Sequence, residues 1–304
     1  MPKEYRDAWQ RFKPSHNRMT DAIFDRRKKE KAQNVSGAGN HIDDTLVNFG
    51  KELYFVMPNF SIDMLKNDIK KLFGCATDGS PKDGEQIKCE YNELCTKYGD
   101  IDCFPTLYKL RRISNDETLL NSITSGFNFS IQLLLDFGFS LFFAKPNDTF
   151  QDFVDYIRLI FDGTGSSLEK YNNLRRSYGD IVEFPSFDQV QQMHKDANNT
   201  IFETVHNGFN IAREKLVNFG KELFTNNYNY EDFVSYVMEY AVLNERQASY
   251  LYEKSKGNFA DFKHFPSRNQ LIKISKYPIL LDIIKEGYDT FTRFGHGAGV
   301  IPNR

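Results

Sequence analysis

A skeleton of aromatic, glycine and proline residues returns along this chain, and any fold it adopts must accommodate that return. Phe-Pro-Thr/Ser occurs at Phe104, Phe184 and Phe265, with spacings of 80 and 81 residues. Tyr91, Tyr171 and Tyr252 precede it, with Tyr98-Gly99 and Tyr178-Gly179 between. Behind it come Gly126-Phe127, Gly208-Phe209 and Gly287-Tyr288, and then Phe137-Gly138, Phe219-Gly220 and Phe294-Gly295. A fainter copy opens the chain with Tyr5, Trp9 and Phe12-Lys13-Pro14-Ser15 and ends at Phe49-Gly50. Self-similarity at a fixed period implies units that bury their apolar faces only by stacking on neighbours. The 304 residues therefore divide into a leading divergent unit with a basic N-terminal segment (1–86), two repeat units (87–163 and 164–245) and a truncated terminal unit (246–304).

Within the units the apolar residues keep helical spacing. Ile42, Leu46, Phe49 and Leu53 share one face, as do Ile62, Leu65, Ile69 and Leu72, and Phe153, Ile157 and Ile160. Phe233, Val237 and Ala241 do the same, and Ile201, Val205, Ala212, Leu216 and Phe219 hold one face across a longer segment that Gly208 is expected to bend. Pro105, Pro185 and Pro266 fit the first turn of a helix, where a missing N–H costs nothing. Ser61 and Thr149 are expected N-caps, and residues 74–86 and 162–167 read as loops. No segment alternates as a strand. The expected fold is all-α, with tandem helical repeats of about 80 residues in helix-turn-helix-like units stacked together.

The formal net charge of −2 predicts no polyanion partner in bulk, but it conceals Arg26-Arg27-Lys28-Lys29, Arg111-Arg112 and Arg175-Arg176. Cys75, Cys89, Cys95 and Cys103 lack the spacing of a C-x-x-C or paired zinc pattern. They read as reduced. The first residues have no apolar core of a secretory signal, and no run approaches the roughly eighteen apolar residues of a membrane span. An intracellular protein, cytoplasmic or in the nucleoid or nucleus, is expected. The histidines are scattered, Gly163-Thr164-Gly165 lacks a phosphate-loop lysine, and no nucleophile-base set emerges. No cofactor, metal or enzymatic activity is expected. Lys51-Glu52 and Lys221-Glu222 become Phe139-Ser140 in the unit between them, so they read as surface charges.

Two short helices around a turn, the second opened by Pro-Ser/Thr and carrying polar side chains, have the layout of a helix-turn-helix. The run Leu-x-x-x-Tyr-Gly-x-x-x-x-Phe-Pro-Ser, followed by a polar helix, Ile-x-x-Gly-Phe/Tyr and a helix to Phe-Gly, resembles the small helical DNA-binding repeats associated with homing endonucleases and related phage and organellar proteins. The resemblance covers 91–138, 171–220 and 250–295, and it implies a non-catalytic DNA-binding protein, regulatory or of phage or mobile-element origin. No HNH, LAGLIDADG or GIY-YIG nuclease core accompanies it. Double-stranded DNA is the expected partner. Base readout falls to the second helices: Tyr108, Lys109, Arg111 and Arg112; Gln189, Gln191, Gln192 and Lys195; Arg268, Asn269, Gln270 and Lys273. Arg26, Arg27, Lys28, Lys29, Arg175 and Arg176 would hold phosphates. The alternative is an α-helical protein-interaction scaffold, viral or phage structural or anti-host, since 28 Phe and 16 Tyr suit the core of an interface.

Overall fold

The computed structural model describes residues 43–295 apart from 77, 100, 102 and 180, with 291–295 as backbone alone. Thirteen α-helices and no β-strand occur among the described residues. The first group is α1 (Asp44–Val56), α2 (Ile62–Phe73), α3 (Gly84–Lys97) and α4 (Leu107–Asn115). The second is α5 (Thr118–Ala144), α6 (Phe150–Asp162), α7 (Ser167–Ser177) and α8 (Phe187–Lys195). The third is α9 (Thr200–Thr225), α10 (Tyr230–Glu239), α11 (Glu245–Ser255), a 3-10 turn (Lys256–Phe259) and α12 (Arg268–Lys276), and α13 (Pro278–Gly295) closes the chain.

The helices α1, α5, α9 and α13 pack one against the next and form the spine. Each junction is made by two glycines in mutual contact with the opposite backbone. A Cβ on Gly50 would stand 2.0 Å from Ile123 O, and one on Gly126 1.9 Å from Val47 O. Gly138 and Gly208 make the same pair, 1.9 Å from Val205 O and 2.1 Å from Leu135 O, as do Gly220 and Gly287, each 1.9 Å from Ile284 O and Val217 O. Separations that short exclude any side chain, so the helices touch through their main chains. Asp43 N donates to Ser122 Oγ (3.4 Å) and Ser130 Oγ donates to Lys51 O (3.0 Å). Both chains advance eight residues between these bonds, so α1 and α5 run in the same direction. Helix α9 continues through Gly208 as one element of 26 residues, and the contact with Leu135 accounts for the glycine.

Beside each junction the Phe-Pro phenylalanine enters an aromatic group with a recurring plan. Phe104 meets Phe49 edge-on at 5.6 Å between ring centroids, Phe184 meets Phe137 at 5.2 Å, and Phe265 meets Phe219 at 5.8 Å. Tyr91, Tyr171 and Tyr252 lie 6.2, 6.1 and 5.9 Å from the same three rings. Tyr98, Tyr178 and Phe259 fill the third place, at 5.1, 6.0 and 4.3 Å. Phe184 is buried, whereas Phe104 and Phe265 are half-buried. Rings at these separations are attractive beyond the area they bury.

The proline of the motif lies two places outside the first helical position that its fixed φ suits. Thr106, Ser186 and Ser267 are the N-caps, accepting from the backbone N–H of Lys109, Gln189 and Gln270, so each proline precedes the cap. Its carbonyl has a partner in two groups: Tyr91 Oη donates to Pro105 O (3.3 Å) and Tyr171 Oη to Pro185 O (2.7 Å). Ser61 and Thr149 cap α2 and α6 as expected. One helix bears on the membrane question. By length and composition α5 is apolar enough to cross a bilayer, with mean hydropathy 1.4 over its best 18-residue window, although scattered Ser, Asn and Gln interrupt the run; 44% of that window is buried.

Candidate nucleic-acid interface

Helix α4 is anchored by Leu110 and Ile113, both buried, against α2 and α5. Residues three and four apart share a helix face, so the opposite side presents Tyr108, Arg111, Arg112 and Asn115, all exposed. Tyr108 is 72% exposed. Along the flank runs the last turn of α2 with Lys70 and Lys71 exposed. The Arg111 guanidinium lies 5.8 Å from the Phe73 ring centroid, which ties the two helices at this edge.

Two acids stand at this edge, Glu117 within the field of Lys70 and Asp116 within that of Arg112. Glu117 pairs with Lys66 at 2.9 Å, a contact that lowers the carboxyl pKa and raises that of the ammonium. Asp116 accepts from Thr118 Oγ1 (2.6 Å) and Thr118 N (2.9 Å), and these bonds, the hydroxyl first, hold its carboxyl below the usual range. Arg111 and Arg112 share the Tyr108 side of α4, and Lys70 and Lys71 stand on the flanking turn of α2.

The other expected contact residues are dispersed. Lys109 turns back to α1, 3.4 Å from Asp43 Oδ2 and bonded to Thr45 Oγ1. Arg175 and Arg176 are exposed at the end of α7; Arg176 bonds Asn172 O (3.2 Å) and Asn173 Oδ1 (2.8 Å) of its own helix. Gln192, half-buried, and Lys195, exposed, line a hollow of about 500 Å³ with Met57, Phe60 and Met64. Arg268 joins α12 to α11 by bonding Ser249 Oγ and lying 3.8 Å from Glu245 Oε1. Lys273 is half-buried, with its ammonium 5.8 Å from the Tyr277 ring centroid. Gln189 and Gln270 close capping boxes, their Oε1 atoms accepting from Ser186 N (2.9 Å) and Ser267 N (2.8 Å). A side chain engaged in its own helix cap is withdrawn from base reading. Arg26, Arg27, Lys28 and Lys29 lie outside the described residues.

Helices α4, α8 and α12 each pack on the corresponding helix of their group, α2, α6 and α10; α8 also meets α1, and α12 also meets α11 and α13. At the positions of Tyr108, Arg111 and Arg112, α8 carries Asp188, Gln191 and Gln192, and α12 carries Asn269, Ile272 and Lys273. Among these three helices, only α4 joins an exposed aromatic ring to a pair of arginines.

Sequence reasoning missed Lys70 and Lys71, although the α2 period places them off its buried face of Leu65, Ile69 and Leu72. It also took Glu222 for a surface charge. Glu222 instead accepts from His264 N (3.0 Å) and pairs with His264 Nδ1 (2.7 Å), fastening α9 to the turn before Phe265. Compared with protein-family models, curated proteins and solved structures, the chain matches none.

Proposed function

We propose that the chain is a non-catalytic DNA-binding protein, built as a tandem array of units of about eighty residues, whose contact surface is the α2/α4 face. The observation that carries the reading is the outward stripe of Tyr108, Arg111 and Arg112 beside Lys70 and Lys71. Cations on one face of a chain of net charge −2 provide phosphate neutralisation where bulk charge provides none. The tandem reading is supported by the three aromatic groups and the three glycine pairs.

Fluorescence anisotropy with a labelled DNA of mixed sequence at low and moderate salt tests it. Binding should weaken as salt rises. Arg111→Ala/Arg112→Ala should remove most of it, while Arg175→Ala/Arg176→Ala, on a different helix, should retain it. No binding at low salt overturns the reading.

A second reading has its own observation. At the α10–α11 corner Met238, Val242 and Tyr250 are 47%, 84% and 72% exposed, and a hollow of about 430 Å³ lies beside them against Leu243 and Leu251. An aromatic and aliphatic patch of this kind suits a protein partner. Val242→Asp should then abolish capture of that partner and leave DNA binding unchanged.

A further inference from the structure

We propose that the α2/α4 face takes single-stranded nucleic acid, with an unpaired base stacked on Tyr108 and the flanking phosphates held by Arg111, Arg112, Lys70 and Lys71. This rests on the DNA-binding reading above and specifies the form of its ligand. The reason lies in Tyr108. Its ring is 72% exposed, and its position is opposite the two residues, Leu110 and Ile113, that anchor α4. A duplex keeps its base faces inside the stack, so an aromatic ring on a helix surface has no π-face to meet there. An unpaired strand offers one at every nucleotide.

The cations are placed to match. Arg111 and Arg112 follow Tyr108 by three and four residues, which sets all three on one side of α4. At about 1.5 Å per residue the stripe from Tyr108 to Asn115 is roughly 10 Å long. Lys70 and Lys71 border it from α2, whereas Lys66, farther along the same helix, is already paired with Glu117. The corresponding places of α8 and α12 have neither an aromatic ring nor a pair of arginines.

The probes are labelled dT and rU oligonucleotides of about twelve nucleotides, within the range of single-strand site sizes, and a DNA hairpin of equal phosphate count. The full chain should bind at least one of the single strands about tenfold or more tighter than the hairpin. Tyr108→Ala should weaken single-strand binding by about 5- to 150-fold with the salt slope unchanged, and Tyr108→Phe should restore it. Arg111→Ala/Arg112→Ala should instead reduce the slope, by about 0.7 for each phosphate that is no longer neutralised. Circular dichroism of the Tyr108 variants should match the parent, because the ring contributes little to the core. A hairpin bound as tightly as both strands, or Tyr108→Ala binding like the parent, overturns the single-strand proposal while leaving DNA binding intact. Failure of all three probes at low salt sinks the interface itself.

Discussion

Among single residues, the glycines of the spine are the least replaceable. Gly138 faces Val205 O at a distance where even a methyl group would overlap the carbonyl, and that carbonyl belongs to backbone that cannot rotate aside. Gly138→Ala should therefore force α5 from α9 and cost about 3 kcal/mol or more, at the upper end of overpacking penalties. Gly84 opens α3 with nothing within 4 Å of an added Cβ, so Gly84→Ala should change stability by about 0.5 kcal/mol or less. Thermal unfolding of the two variants makes the comparison; equal losses would show that the junctions are looser than the backbone separations indicate. The sequence displays these glycines at regular intervals but conceals their purpose. Inside an apolar helix a glycine reads as a bend, as at Gly208, because the helix that needs the space lies some seventy residues away. The partner of Glu222 is hidden for the same reason: His264 is 42 residues distant.

The helices themselves follow local rules, and their ends respond to local changes. Ser186 caps α8 while Gln189 returns the bond, and Ser267 with Gln270 does so for α12. Removing either hydroxyl leaves a helix N–H without its partner, so Ser186→Ala and Ser267→Ala should each cost about 1 kcal/mol. Urea denaturation midpoints measure this, and an unchanged midpoint in both would mean that the ends are fixed by packing alone. Periodicity made the short helices legible, since their buried positions recur at three and four. It misplaced the start of α4, α8 and α12, because proline suits both the first helical position and the one before the cap. The cap hydroxyls of Thr106, Ser186 and Ser267, each accepting from the N–H three residues on, distinguish the two. Equal roles for the three second helices were also too simple. A matching place in the sequence did not give matching surroundings: Lys109 is committed to α1, Gln189 and Gln270 to caps, and Arg268 to α11.

Across the whole molecule the tyrosines set the alkaline limit of stability. Burial is the main cause that raises the pKa of Tyr98, Tyr178 and Tyr240, and it pushes Tyr230 up to about 12. A pKa raised in the folded state gives stability that is fully present below the ordinary tyrosine value of 10.0 and is lost as pH climbs through the folded values. The buried rings of Tyr98, Tyr178, Tyr230 and Tyr240 should accordingly ionise only as circular dichroism reports unfolding. A single early stage covering all 16 tyrosines, with the helices preserved, would contradict the packing. The spine brings a different liability. A glycine junction recognises its partner by bare backbone, which is the same in every helix, so α5, α9 and α13 carry nearly interchangeable docking places. Correct order then depends on chain connectivity and on a few specific latches, such as Tyr54 with Thr204 (2.7 Å) and Arg213 with Glu286 (2.5 Å). During concentrated refolding one molecule can lend a long helix to another without breaking a single type of contact, and entangled oligomers held by native junctions are the expected by-product.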